Sequence, residues 1–355
     1  VDPEPPVEPE EPVLPELPPV DPEPPVKPEE PVLPELPPVD PEQPQEVYRP
    51  EIGSYLANRY GATNMFRHTR HERIGDFDYR GDSQSVWVRG DVDTFKAKTA
   101  SSQIKLDTYS NSLQVGGHLW ETDLSDYRVQ LGWMVGKGKA KTQSSSLLTG
   151  YGASSSVEGY SYGAYGTLFS NSADQTGPYL DAWLSRGSFD NEVKGQDLDK
   201  EAYRSHLLTG SLEAGYTFHI GDTSEFAYMV EPQAQVIVNK YDMKEHREVN
   251  GTKVNTAKST GVTTRVGARV FTRPHDKMNH RVRPFVEANW WHDDNDYAAS
   301  FNGDKVSLDL NKNMFEGKLG AEIELSKDVK MWTSISAEVS PGSQSNVGGQ
   351  IGIKY

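Results

Sequence analysis

YRPEIGSYLANRYGATNMFRHTRHERIGD, residues 48–76, stands between two stretches of opposite character: a proline-rich repeat before it and a run of alternating polar and apolar residues after it. Pro50 suits the first turn of a helix, and Glu51 beside it sits where the helix dipole favours an anion. Ile52, Tyr55 and Leu56, then Met65 and Phe66, make a broken apolar stripe too weak for an ordinary core helix. Arg59, Arg67, Arg70 and Arg73, with Arg49, outweigh Glu51, Glu72 and Asp76, and His68 and His71 add polarity. A helix that is polar nearly all round fits a polar, enclosed lumen, and the segment is read as a helix threading a pore. The simpler alternative is a short solvent-exposed helix ahead of a domain.

Outward from this segment, the charge divides unevenly. The chain of 355 residues carries a net −16. Residues 1–50 hold fourteen acidic and two basic residues, a local charge of −12, which leaves −4 for the other 305. The acidity belongs to the N-terminal stretch and does not imply a basic ligand. There is no cysteine, which excludes a disulfide scaffold and a thiolate metal site. The first residues, VDPEPP, carry neither an initiating Met nor a signal peptide, so a fragment or processed product is expected.

Residues 1–19, VDPEPPVEPEEPVLPELPP, repeat as 20–38 with Lys27 in place of Glu8. Proline fixes φ and removes a donor, so neither helix nor sheet propagates. Extended polyproline II at about 3.1 Å per residue is expected, stiffened by carboxylate repulsion. A spacer holding something off a surface is favoured over a PxxP docking ligand, whose grooves usually want basic flanks.

No apolar run approaches the ~20 residues of a membrane helix. The mean hydropathy of −0.68 does not exclude a membrane barrel, because only alternate residues of such a barrel face lipid. Period-two alternation recurs to the end of the chain. Val129, Leu131 and Trp133 alternate with Arg128, Gln130 and Gly132. Val262, Val266, Ala268 and Val270 oppose Arg265 and Arg269. Ile351, Ile353 and Tyr355 oppose Gln350 and Lys354. Twelve strands are predicted near 85–97, 104–120, 127–141, 156–170, 177–193, 204–220, 225–241, 259–273, 281–297, 306–326, 329–339 and 346–355.

Alternate connections are short (121–126, 171–176, 221–224, 274–280, 327–328), whereas 142–155, 242–258 and 298–305 are long and polar. Outer-membrane barrels have short periplasmic turns and longer outer loops, and a soluble sandwich has no reason to sort loops by parity. The first strand then runs outward, so the N-terminal stretch reaches the surface through the barrel or beside it.

The face opposite the lipid carries Asp181, Glu213, Glu231, Glu287, Glu322 and Glu338, with Arg265 and Arg269. Charges belong in the lumen, and an acidic wall complements Arg59, Arg67, Arg70 and Arg73. The plainer reading is the wet face of any strand. Tyr127, Trp133, Tyr160, Tyr179, Tyr216, Trp290 and Tyr355 are candidate girdle aromatics.

YRPEIGSYLANRYGATNMF, HERIGD, SVWVRG, GSLEAGYTF, VEPQAQV, RPFVEANWWH and the terminal GIKY together resemble the translocator domain of an AIDA-type autotransporter, of the type V secretion family. The resemblance covers about residues 47–355. It implies an all-β membrane protein: a 12-stranded antiparallel outer-membrane β-barrel with an N-terminal α-helix in the lumen, behind the Pro-rich linker. The domains expected are a linker (1–46), a helix plugging the pore (47–78) and the barrel (79–355). The implied function is export and anchoring of an upstream passenger, an adhesin being the expected kind. The implied partners are outer-membrane lipid and lipopolysaccharide, the outer-membrane assembly machinery, periplasmic chaperones and the chain's own passenger. No cofactor, metal or nucleic acid is implied, and a monomer is expected. Tyr355 belongs, by the same resemblance, to the C-terminal strand that the assembly machinery reads. Relatives sometimes continue a little beyond that point, so a short truncation is allowed for.

Other chemistry carries less weight. His292, Asp293, Asp294 and Asp296 lack a metal-ligand spacing. His206 and the loop serines lack a nucleophile elbow, which leaves a barrel hydrolase, or a passive porin, as the alternative. Asn58 and Asn64 raise self-cleavage by Asn cyclisation, but neither is followed by a second Asn. Arg80-Gly81-Asp82 and Arg89-Gly90-Asp91 spell an integrin-binding tripeptide at positions hidden from outside, and both are read as chance.

Overall fold

A computed structural model describes residues 46–76, 85–170, 176–275, 281–326, 328–342 and 344–355. The proline repeat, the tripeptide at 80–82 and most of the turns near 171–176 and 274–280 lie outside the described residues.

Two helices, α1 (Pro50–Asn64) and α2 (Arg70–Ile74), precede the strands. The strands are β1 (Val86–Thr99), β2 (Ile104–Leu124), β3 (Tyr127–Ser146), β4 (Gly152–Ser170), β5 (Gly177–Gly195), β6 (Lys200–Asp222), β7 (Phe226–Arg247), β8 (Lys253–Pro274), β9 (Val282–Asp293), β10 (Ala298–Phe301), β11 (Asp304–Ser307), β12 (Asn313–Glu324), β13 (Lys330–Val339) and β14 (Ser345–Lys354). Twelve of them form a closed antiparallel ring, since β9 pairs with β12 and β14 returns to β1 with Val88 opposite Ile353 and Lys96 opposite Ser345. Closure leaves no open edge, which is how a sheet satisfies its backbone groups in lipid. Among the described residues, no helix is long and apolar enough to cross a membrane.

The outer surface explains the alternation. On β3 the residues facing away from the axis are Tyr127, Val129, Leu131, Trp133 and Val135, and above them come Lys137, Lys139 and Lys141. From Tyr127 to Val135 is about 26 Å along the strand at ~3.3 Å per residue, about the ~9–11 residues that a tilted strand uses to cross a bilayer core. The same apolar band continues as Leu208–Phe218 on β6, Val262–Val270 on β8, Phe315–Leu325 at β12 and Val347–Tyr355 at β14, all outward and largely exposed.

Three expectations change. The connections at the far end are short: 147–151 and 248–252 join strands that continue well past the apolar band. What is sorted by parity is therefore strand overhang. Strands β2–β8 run 19–23 residues, against 10–12 for β9 and β12–β14. Next, 281–297 and 306–326 are not two plain strands. A separate hairpin, β10–β11, lies between β9 and β12 and pairs with β8 through Phe301–Val254 and Ser300–Asn255. Last, residues 48–76 are not one helix. Thr69 starts α2 with a capping box, its side chain accepting from Glu72 N–H while Glu72 accepts from Thr69 N–H, and this restarts the helix after a break at 65–69.

Candidate functional site

The lumen is filled by the 48–76 segment and falls into two halves of different chemistry. The half at the strand-overhang end is apolar. Around α1, Tyr55 stacks on Tyr203 with ring centroids 5.2 Å apart and meets Phe301 edge-on, and Tyr60 stacks on Phe95 at 4.2 Å. Ile52, Leu56 and Ala57 join Ile104, Leu106 and Val157 in the same buried cluster. Glycine sets the approach. A Cβ on Gly53 would lie 2.8 Å from Ile104 and 3.0 Å from Leu106, and one on Gly61 would lie 3.1 Å from Val157 and 3.2 Å from Ala140. The helix therefore lies against β2–β4 rather than on the barrel axis. At its start, Arg49 pairs with Glu248 at 3.0 Å and Tyr48 N–H donates to Gln103 at 3.3 Å. Both contacts fasten the segment to connections at that rim.

The half at the turn end is charged. Arg73 grips Asp181 with both guanidinium nitrogens, at 2.5 and 3.1 Å, donates to Thr167 at 3.2 Å, and lies 3.9 Å from the centre of the Tyr165 ring. Arg73 and Asp181 are fully buried. His71 meets Glu231 at 2.6 Å, and Arg70 gives its backbone N–H to Glu213 at 2.9 Å. Glu72 pairs with Lys318 at 2.6 Å, and Asp76 with Arg273 at 3.1 Å. Arg67 reaches Glu338 at 3.1 Å from over the Trp291 ring. In the wall, Arg265 bridges Glu213 and Glu287, each at 3.2 Å, and Arg269 bridges Glu287 and Glu322 at 3.6 and 2.5 Å. Charges at this depth persist only when paired and hydrogen-bonded, and the segment from Arg67 to Asp76 presents its charged groups to oppositely charged partners on five strands, β5, β7, β8, β12 and β13.

The structure thus gathers Arg70 and Arg73 with Asp181, Glu213, Glu231, Arg265, Arg269, Glu287, Glu322 and Glu338 in the buried turn-end half of the lumen, with the half-buried Arg67 joined to it through Glu338. Arg59 is elsewhere. It donates to the Ala298 carbonyl and the Ser259 hydroxyl and lies over the Tyr241 ring, and none of these partners is a carboxylate. One of these neighbours, Ala298, comes from the β10 hairpin, which the sequence pattern does not disclose, and Ser259 and Tyr241 come from β8 and β7. Tyr179 is a lumen residue rather than a girdle aromatic. Residues two apart share a face, so it sits with Asp181, and its hydroxyl donates to Glu213 at 2.8 Å beneath Arg70. Sequence reading takes His71 and Glu72 only as polarity and charge in the segment, and passes over Lys318 and Arg273, the partners of Glu72 and Asp76. The turn-end half-pattern T-x-x-E at 69–72 is the one local signal that marks α2. Tyr355 points outward, and its backbone exchanges two 2.9 Å bonds with Val86.

Beside α1, toward β1, β13 and β14, remains a cavity of about 110 Å³ lined by Asn64, Asp91, Asp93, Glu338 and Gln350. That is room for a few waters, far short of a passage for a chain. Asn58 donates to the Glu192 carbonyl and the Tyr203 hydroxyl, and Asn64 to the Tyr60 carbonyl and the Tyr297 hydroxyl. Neither side chain meets a carboxylate among the described residues. On the outer wall His206 meets Ser188 at 3.2 Å, but Asp242, opposite His206 in register, forms no ion pair with it. Arg89 of the second tripeptide is buried in the lumen, so that RGD is not presented outward.

An autotransporter beta-domain family model matches residues 86–336. The chain is 31% identical to the uncharacterized protein YdeU of Escherichia coli K12 over 87% of its own length and 70% of that protein. It is 28% identical to the autotransporter adhesin AIDA-I of Escherichia coli, covering 87% of this chain but only 25% of AIDA-I. The crystal structure of the AIDA-I transport unit superposes with a TM-score of 0.78 at 26% identity, over 87% of this chain and 99% of that one. A closed twelve-stranded barrel with a lipid-matched outer band and a helix-filled lumen, matched by the family model over most of the ring, places this chain in the autotransporter β-domain family as an outer-membrane protein.

Proposed function

We propose that this domain is the translocator and surface anchor of an autotransporter, exporting an N-terminal passenger, an adhesin by analogy with AIDA-I. One observation carries the reading: the polypeptide enters the barrel at the overhang rim near Gln103 and Glu248 and runs through the lumen to Asp76 at the turn end, where β1 begins. A chain so threaded has its upstream part on one side of the membrane and its barrel's first strand starting on the other. With short turns in the periplasm, the upstream part lies outside.

On this proposal residues 47–78 plug the pore after export, held by the Arg67, Arg70 and Arg73 network, and residues 79–355 form the barrel. Residues 1–46 hold the passenger off the surface. Folding of the passenger outside supplies the drive. Tyr355 and β14 form the strand read by the assembly machinery, with periplasmic chaperones delivering the chain. The test is protease treatment of intact cells expressing the chain with an epitope ahead of Val1. Cleavage within residues 1–45 is expected, and protection of that stretch until the cells are lysed would overturn the orientation.

A further inference from the structure

We propose that the outer wall of β1–β3 binds the phosphorylated sugar headgroup of lipopolysaccharide through a lysine patch just above the apolar band. Lys96 and Lys98 on β1, Lys105 on β2, and Lys137, Lys139 and Lys141 on β3 all face away from the barrel axis. The registers form two groups on this wall, Lys96, Lys98 and Lys105 on β1 and β2, and the β3 lysines, of which Lys141 lies opposite Tyr109, four residues along β2 from Lys105. Lys98 is directly opposite Lys105, and Lys137, Lys139 and Lys141 follow one another along the same face of the neighbouring strand.

Their height is fixed by what lies beneath. Val92, Leu113 and Val135 close the apolar band on these strands, and the exposed Tyr109, Tyr160 and Tyr162 ring its upper edge. Tyr160 is opposite Lys137, and Tyr109 is opposite Lys141. Tyrosines of this kind sit at the membrane–water interface, so the ammonium groups stand at headgroup level. They are on the overhang side, which the outer-membrane reading makes the outer leaflet, and the proposal rests on that reading.

The patch is not neutralised from within. Asp107 takes Lys105 at 2.9 Å, and Glu158 takes Lys137 and Lys139 at 3.1 and 2.9 Å. Lys96, Lys98 and Lys141 form no ion pair among the described residues. Like charges directly opposite each other in an antiparallel pair are destabilising, and an anion between Lys98 and Lys105 removes that cost. Six lysines against two carboxylates leave a surplus of four positive charges. The outer leaflet offers the complementary group, a diphosphorylated disaccharide lipid.

The experiment uses the full chain, folded in neutral detergent, titrated with diphosphoryl lipid A and read by native mass spectrometry. A cation at an anionic membrane surface is worth roughly fivefold in affinity. K96Q/K98Q/K141Q is therefore expected to bind about a hundredfold more weakly, with its electrophoretic heat-modifiability unchanged. Phosphatidylcholine and inorganic phosphate should neither bind in a defined ratio nor compete. A control with K200Q/K240Q/K244Q, on β6 and β7, should bind as the parent does. Equal binding by the first variant and the parent, equal loss in the control, or displacement by inorganic phosphate would each overturn the proposal. A parent chain that folds into no lipid bilayer would bring down the outer-membrane reading as well.

Discussion

Replacing Arg73 with Met removes the cation that the turn-end half of the lumen is built around. The guanidinium makes two bonds to Asp181 and one to Thr167, and it covers the Tyr165 ring. Thr167 also donates to Asp181, at 2.5 Å. Removing one member of a buried pair leaves the other charged and uncompensated, at a cost of about 3–5 kcal/mol. Met keeps most of the volume, so little of that cost is a packing defect. Expressed as docking of α2, it shifts the docked-to-undocked ratio by a factor of roughly 10² to several thousand. Planar-bilayer recording reads this directly, because an undocked segment opens current through the lumen. R73M should show frequent openings where the parent is quiet, and its thermal midpoint should fall. Combining R73M with Asp181→Leu removes both charges and should recover about 2–3 kcal/mol relative to the sum of the single effects. A quiet R73M with an unchanged midpoint, or a double variant whose losses simply add, would refute the idea that this pair holds the segment in place.

Gly53→Val places methyl groups against Ile104 and Leu106, where even a Cβ has only 2.8–3.0 Å. It should cost about 1–3 kcal/mol by overpacking, measured as a lower melting midpoint with the barrel's sheet content unchanged. Glu72→Gln strips Lys318 of its 2.6 Å partner but leaves Glu316 at 3.2 Å, so its midpoint should fall by less than that of R73M. Tyr179→Phe loses one hydroxyl bond to Glu213 and should cost about 1 kcal/mol, with no new current in bilayers.

The barrel was legible because lipid imposes a simple rule: every second residue of β3, β8 or β14 must be apolar, and Val129, Leu131 and Trp133 or Val262 and Val266 obey it. Beyond the bilayer both faces of a strand are wet, and the signal disappears while the strand continues. Thr142, Ser144 and Ser146 turn inward and Gln143 and Ser145 outward, which reads as a loop although it is sheet. The β10–β11 hairpin escaped for a related reason, since four-residue strands of AASF and DKVS carry too few positions to set a period. A positive side chain in a pore suggests a carboxylate partner, and Arg59 has none among its hydrogen bonds. Its surroundings are Ala298 of that hairpin, Ser259 of β8 and the Tyr241 ring of β7, three separate segments that a sequence pattern does not bring together. Tyr179 was within reach, because Asp181 fixes the face two residues on. The apolar half of the lumen at the overhang end is hidden from sequence because Tyr203, Tyr241, Tyr297 and Phe301 come from distant segments, and only the closed ring brings them around Tyr55 and Tyr60.

The central claim is that residues 48–76 occupy the pore of an outer-membrane barrel, and single-channel conductance tests it most directly. The full chain and a chain lacking Tyr48–Asp76 are reconstituted in planar bilayers under identical salt and voltage. With α1 and α2 packed against the wall by the apolar cluster and the ion pairs, the full chain should pass little current, and the deletion should open a stable conductance many times larger. Equal conductance from the two chains, with the deletion variant shown to be folded, would contradict the account.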